Sequence, residues 1–511
     1  MKKSRANLAL MGFVTDFGGQ ILLITVNFIT VPIILRFTSQ ALYGFWLTSV
    51  SILGFLALTD FGIGVPLTRA IAGIATANKK TELNRVISTG FISLFVVGII
   101  FFFIGSCFSF FISNWFNIPG EDRAHVISAY MVAVVSASIV LPMGVFSIIL
   151  TGFQRMAIDN TVRNIANICG GGVTIIFLFA GYGLLAIALS NLFVILSISS
   201  INYFYARRLL PELLIRFSLF DMSELKKMLK FGGYFQVGRV ANTIALSADN
   251  VVIASILGAP YVTPYSITSK LPVLFSVNLA NKLPTAVFPA ISQMFAEGNI
   301  NKLQNIFIKL TTLSVRLAVI AASFVFITNE QFISLWVGLN NYGGPLLNAV
   351  FIYWILQDTI YRGTTAFIYA SGDLRNWTIA SIFEAILNVV ISIILAKNMG
   401  LIGVALGTSI SKTITTGVST PYFVSKKLNV PFKYFIKKGI LNPIGLSLLG
   451  FLFTWEISIF TPMSLGWIWI IIVGLSAVFS NLLIFEGRLL FLPSSTTWEE
   501  RIKNILSFQM E

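Results

Sequence analysis

VISTGFISLFVVGIIFFFIGSCFSFFIS, residues 86–113, contains no charged side chain from end to end. Wound as an α-helix at about 1.5 Å per residue it exceeds the roughly 30 Å hydrocarbon core of a bilayer. The apolar residues do not alternate with polar ones, as they would on a barrel strand. Without water, backbone N–H and C=O groups must pair within the segment, and a helix does this. Outward from this run the same pattern repeats. Of 511 residues, 56% are hydrophobic and 11% charged, against roughly a quarter charged in soluble domains. The chain reads as an all-α, polytopic membrane protein of about fourteen transmembrane helices. The spans are expected near 8–35, 43–66, 86–113, 126–150, 160–180, 184–205, 229–257, 263–289, 308–327, 345–369, 377–396, 401–424, 440–460 and 465–485. The basic start at Met1–Arg5 leads directly into the first span, with no small-residue cleavage site evident.

A net charge of +15 raises the question of nucleic acid, and its placement answers it. With the N-terminus inside, the inside loops collect clusters such as Lys79, Lys80 and Arg85; Arg207, Arg208, Arg216, Lys226, Lys227 and Lys230; and Lys426, Lys427, Lys433, Lys437 and Lys438. Outside loops hold Arg36, Arg123 and Lys397. This is the positive-inside pattern. It predicts both termini in the cytoplasm, basic residues facing anionic headgroups, membrane lipids as partners and no nucleic acid. Cys107 and Cys169 lie in apolar runs and His125 in a short polar loop, so no metal site and no cofactor are expected. The longest loop, 206–228, mixes Leu209, Leu213, Leu214, Phe217 and Phe220 with arginines. It reads as an amphipathic segment on the cytoplasmic surface.

Internal self-similarity organises the spans. Gly183-Leu184-Leu185-Ala186-Ile187-Ala188-Leu189 recurs as Gly400-Leu401-Ile402-Gly403-Val404-Ala405-Leu406, an offset of 217. Thr151-Gly152-Phe153-Gln154-Arg155 is echoed by Ser371-Gly372-Asp373-Leu374-Arg375, Ala70-Ile71 by Ala290-Ile291, and Phe17-Gly18-Gly19 by Phe231-Gly232-Gly233. Matches in one order at nearly constant offset imply two parallel repeats of six spans, with two helices appended. The expected organisation is a six-helix bundle over 1–206, a connector over 207–228, a second six-helix bundle over 229–428, and two further helices with a tail over 429–511. Parallel repeats of this kind permit alternating access to a cavity between bundles.

The Gly-Leu-x-x-x-Ala-Leu motif opening the sixth and twelfth spans joins two features of the second span. Tyr43-Gly44-Phe45-Trp46 starts it, and Asp60-Phe61-Gly62-Ile63-Gly64 followed by Arg69 ends it. Together they resemble the polysaccharide transporter branch of the multidrug/oligosaccharidyl-lipid/polysaccharide (MOP) flippase superfamily, most closely the O-antigen flippases, over nearly the whole chain. The resemblance implies a MATE-like fold and transfer of an undecaprenyl-diphosphate-linked oligosaccharide from the cytoplasmic to the periplasmic leaflet of a bacterial inner membrane. The polymerase and chain-length proteins of the same pathway would be its partners.

A diphosphate in transit requires cations inside the membrane, where isolated charges are costly and mark function. The candidate substrate-binding residues are Arg239, Lys270, Lys282, Arg362 and Lys412, and the candidates for coupling or gating are Asp60, Asp249, Asp358 and Glu384. Structural readings stand beside these. Asp358 and Arg362, four apart on one helix face, would neutralise each other. Lys282 and Arg316 lie near enough to a span end to snorkel. Asp60 with Arg69 would form a clamp. Pro272 and Pro284 interrupt the eighth span and suggest a hinge. Two rivals remain. A cation-coupled multidrug exporter of the same superfamily would need lumenal carboxylates to bind its cation. A membrane-embedded glycan polymerase or glycosyltransferase would need catalytic groups in a sizeable loop, and the outside loop 114–125 contributes only Glu121 and Asp122 as acids. No catalytic residue is assigned.

Overall fold

The computed structural model describes residues 5–57, 62–77, 80–115 and 122–490. Among them every regular element is helical. In chain order these are α1 (Arg5–Phe37), α2 (Gln40–Ala57), α3 (Gly64–Ala77), α4 (Lys80–Trp115), α5 (Arg123–Gly152), α6 (Met156–Phe179), α7 (Leu184–Leu209), α8 (Met222–Ile256) and α9 (Ala259–Thr268). There follow α10 (Lys270–Val273), α11 (Lys282–Ala296), α12 (Ile300–Val337), α13 (Pro345–Ser371), α14 (Arg375–Lys412), α15 (Val418–Lys427), α16 (Phe432–Phe435), α17 (Asn442–Phe460) and α18 (Trp467–Leu490). Within the described residues the expected spans coincide with these helices or with broken series of them. Nine helical stretches among the described residues are long and apolar enough to cross a membrane. Helix α13, which carries Asp358 and Arg362, is not among the nine.

Two compact units form, and their borders differ from those of the sequence repeats. The first comprises residues 1–267 and 373–416, the second 268–372 and 417–511. In the first unit Ile63, Leu67 and Ile71 of α3 pack with Val86 and Ile87 of α4, Val145 and Ile149 of α5 and Met228 of α8 in one dry core. Small residues let α8 and α14 approach closely, with Ala241, Ala245 and Ala385 at the contact, the membrane equivalent of a packed seam. Gly400, at φ 60° and ψ −136°, folds α14 back on itself. A side chain would resist that backbone conformation, so the sequence Met399-Gly400-Leu401 ends one span and starts the next without a loop.

The connector runs as a strap along α4, which presents a ladder of short polar side chains to its backbone. The Asn84 amide donates to Glu212 O at 2.9 Å and accepts from Leu214 N at 3.2 Å. The Ser88 hydroxyl donates to Leu214 O at 3.1 Å, and Thr89 Oγ1 accepts from Asp221 N at 3.0 Å. Leu213 is buried in the α3–α4–α5 core while Phe217 stays exposed. The strap ends at Asp221, whose carboxylate caps α8 by accepting from Ser223 N at 2.8 Å. Hydrogen bonds from Ser223, with the Arg85 guanidinium 3.5 Å away, hold that carboxyl below its ordinary pKa.

In the second unit the eighth span is broken. Helix α10 passes through a π-helical turn, Leu274–Ala280, into α11. Pro272 has no N–H to give the carbonyl of Thr268, four residues back. That carbonyl instead accepts from Asn329 Nδ2 of α12 at 3.0 Å, and the same amide donates to Asn348 Oδ1 of α13 at 2.8 Å. Irregular backbone inside a membrane persists where neighbouring side chains satisfy it in this way. Phe307 of α12 stacks on Phe435 of α16 at 4.7 Å and meets Phe367 of α13 edge-on at 5.1 Å.

Candidate functional site

Four candidates, Arg239, Asp249, Glu384 and Lys412, belong to the first unit, on α8 and α14. Their neighbourhood follows from two polar stripes at four-residue spacing, which align on one helix face. Glu384, Asn388 and Ser392 run along the first half of α14; Thr408, Lys412 and Thr416 run along and just past its second half. Folding at Gly400 brings the stripes together. Thr416 Oγ1 donates to Glu384 Oε2, Asn388 Nδ2 donates to Thr408 Oγ1 at 3.0 Å, and Ser392 Oγ donates to Val404 O at 3.2 Å.

Asp249, nearly fully buried, enters this array from α8. Its carboxylate accepts from Thr408 Oγ1 at 2.8 Å and from Tyr265 Oη of α9 at 2.5 Å. Asn388 also donates to Ala245 O of α8 at 2.9 Å. The result is a buried carboxylate among polar groups, held directly by two hydroxyls, with Glu384 as a second carboxylate in the same array. Among the described residues no cluster of three histidine, cysteine, aspartate or glutamate side chains could hold a metal ion. A buried carboxylate held by hydroxyls can balance one positive charge, such as a proton. One turn from Thr408, Lys412 is 1% exposed, enclosed by protein on every side. Arg239 is half-buried and follows Gly238, on which Trp377 of α14 packs.

The other four, Lys270, Lys282, Asp358 and Arg362, belong to the second unit. Arg362 Nε meets Asp358 Oδ2 at 2.6 Å, and Ser276 Oγ of the π-turn donates to the same oxygen at 2.6 Å. The neutralising alternative therefore describes this pair: Asp358 is fully buried and its charge is spent on Arg362. Lys282 opens α11 at the end of the π-turn. Lys270 opens α10 at the break and is half-buried. It has neither an ion-pair nor a hydrogen-bond partner among the described residues. Asp60 lies outside the described residues.

Sequence reasoning passed over Tyr265, Asn388 and Thr408, although the four-residue stripes were there to be read. It also passed over Asp159, whose carboxylate accepts from Asn202 at 2.6 Å, Ser147 at 2.8 Å and Arg163 at 3.0 Å. Those bonds clamp α5, α6 and α7.

Comparison with known proteins agrees with this architecture. The family described as polysaccharide biosynthesis protein matches residues 12–295. A putative O-antigen transporter of Shigella flexneri is 24% identical over 264 residues, 51% of this chain and 62% of that protein. The chain thus matches less than two thirds of that relative's length. The uncharacterized membrane protein EpsK of Bacillus subtilis (strain 168) is 19% identical over 433 residues, 83% of this chain and 84% of that one. Among solved structures, the lipid II flippase MurJ in an inward closed conformation superposes with TM-score 0.71 at 17% identity, over 94% of this chain and 100% of the other. An inward-facing multidrug resistance MATE family transporter of the MOP superfamily gives 0.60 at 18%, over 80% and 98%. At these identities the structural likeness establishes the fold, that of a multi-pass membrane protein shared with the MurJ and MATE structures. With more than half of its length matched, the chain belongs to the polysaccharide biosynthesis protein family.

Proposed function

We propose that the chain is a flippase for undecaprenyl-diphosphate-linked oligosaccharide repeat units of O-antigen or related surface-polysaccharide type. It carries them from the cytoplasmic to the periplasmic leaflet of the bacterial inner membrane, with both termini cytoplasmic. The two six-span repeats alternate access, the polyprenyl tail stays in lipid, and the diphosphate and sugars cross the interior. Pathway polymerase and chain-length proteins are the expected partners. The observation that carries the anionic part of this reading is Lys270. It is an intramembrane ammonium with no partner among the described residues, set on the broken helix that also carries Lys282 at the end of its π-turn. A cation held there without a counter-ion is costly, and a diphosphate in transit would offset that cost. Asp249 in its polar shell is the group assigned to coupling, exchanging one positive charge per cycle.

Asp249 also suits a cation-coupled multidrug exporter, so the test must separate the two. The chromosomal copy is deleted and lipid-linked intermediates and drug sensitivity are measured together. Repeat units accumulating on the cytoplasmic leaflet, with unchanged drug sensitivity, are the expected result. Increased drug sensitivity with normal surface glycan would replace this reading with the exporter. Loss of the lipid-linked intermediate itself would point to a glycan-polymerising or glycosyl-transferring enzyme.

A further inference from the structure

Asp249 has a neighbour that the transport reading does not use. While Asp249 turns toward α14 and Tyr265, Asn250 turns toward α2, a helix of the first sequence repeat. Asn250 Nδ2 donates to Ser51 Oγ at 3.0 Å, and Asn250 Oδ1 accepts from Ser266 Oγ of α9 at 3.2 Å. Thr48 Oγ1, which donates to Gly44 O at 2.8 Å, also reaches Asn250 O at 3.5 Å. Farther along the same contact Thr263 Oγ1 donates to Gln40 O at 2.7 Å. Gly44 lies so close to α9 that a Cβ there would stand 2.0 Å from the Ala259 carbonyl oxygen. Only glycine permits that approach. In the proposed topology α2 begins and α8 ends on the periplasmic side, so this is a seam closing that end of the first unit.

We propose that Asn250 is a positioning residue that latches the periplasmic seam between α2 and the α8–α9 pair, and that the state of Asp249 controls the latch. Consecutive residues on α8 read consecutive residues on α9: Asp249 holds Tyr265, and Asn250 holds Ser266. A change of partner at Asp249 that moves Tyr265 therefore moves Ser266, and with it the amide that holds Ser51. The path Asn388–Thr408–Asp249–Tyr265 on one side and Ser266–Asn250–Ser51 on the other is continuous through one peptide unit of each helix. This rests on the alternating-access reading, in which the seam must open once per cycle.

The test uses the full-length protein with Cys107→Ser and Cys169→Ser, reconstituted in vesicles, and a single reporter, Ala259→Cys. Ala259 is buried at the seam, so a bulky membrane-impermeant maleimide reaches a cysteine there only when the seam opens. Asn250→Ala is expected to raise the labelling rate about fivefold or more, the population change that follows losing a buried hydrogen bond. Ser51→Ala, a smaller change that leaves Asn250 in place, should act in the same direction. Asp249→Asn should also raise it, and combined with Asn250→Ala it should add nothing further, as expected for residues acting in one path. Labelling within about twofold of the parent in both Asn250→Ala and Ser51→Ala, in protein eluting as one folded species, would overturn the latch. If Asp249→Asn stops transport without changing labelling, the latch control fails while the coupling role survives. If Asp249→Asn raises labelling but transport continues at the parental rate, the latch stands and the coupling assignment fails.

Discussion

Asp358 and Arg362 show how a charge inside the membrane is tolerated. The pair is joined at 2.6 Å, with Asp358 fully buried and Ser276 satisfying the same oxygen. Removing one partner leaves the other as an uncompensated buried charge, a loss of about 3–5 kcal/mol in comparable pairs. Asp358→Ala is therefore expected to lower the midpoint of thermal unfolding in detergent, and the double replacement with Arg362→Met to recover most of that loss. Equal destabilisation by the single and double variants would show that the pair is not the unit. Lys270 is the contrasting case, a cation without such a partner among the described residues, and the one for which an anionic ligand is proposed.

At the scale of elements, the helices were legible and their interruptions only in part. Uncharged runs such as 86–113 announce helices because no other structure satisfies a backbone in lipid, and Gly400 marked a span boundary through its repeat partner Gly183. Pro272 and Pro284 announced trouble in the eighth span, but not the remedy. The freed Thr268 carbonyl is satisfied by Asn329, 61 positions away in sequence, and local reading does not reach that far. The strap over 210–221 is a second case: local reading does not show that Asn84, Ser88 and Thr89 supply its hydrogen bonds from α4. Of the candidate site, charged residues were visible as costly exceptions, whereas Tyr265, Asn388 and Thr408 were hidden among ordinary polar residues. Asn329→Leu is expected to cost about 1–3 kcal/mol by stranding the Thr268 carbonyl, with faster hydrogen exchange confined to residues around the α9–α10 break. Unchanged stability and exchange would mean that the break is satisfied by other means.

At the scale of the whole molecule, the chain belongs to the polysaccharide biosynthesis protein family and shares the fold of the MurJ and MATE structures. The account adds a cargo with a negatively charged head and a tail that never leaves lipid. Both compact units contribute: the first holds the proposed coupling carboxylate, the second the broken helix with a lysine that has no partner among the described residues. The most direct measurement is leaflet transfer of a fluorescent undecaprenyl-diphosphate oligosaccharide in vesicles containing the purified full-length protein. Transfer is read by protection of the glycan from an impermeant glycosidase. The account predicts protein-dependent transfer that Lys270→Ala reduces at least tenfold, and no transfer of a neutral lipid-linked glycan lacking the diphosphate. Equal transfer of the charged and neutral lipids, or undiminished transfer by Lys270→Ala, would contradict it.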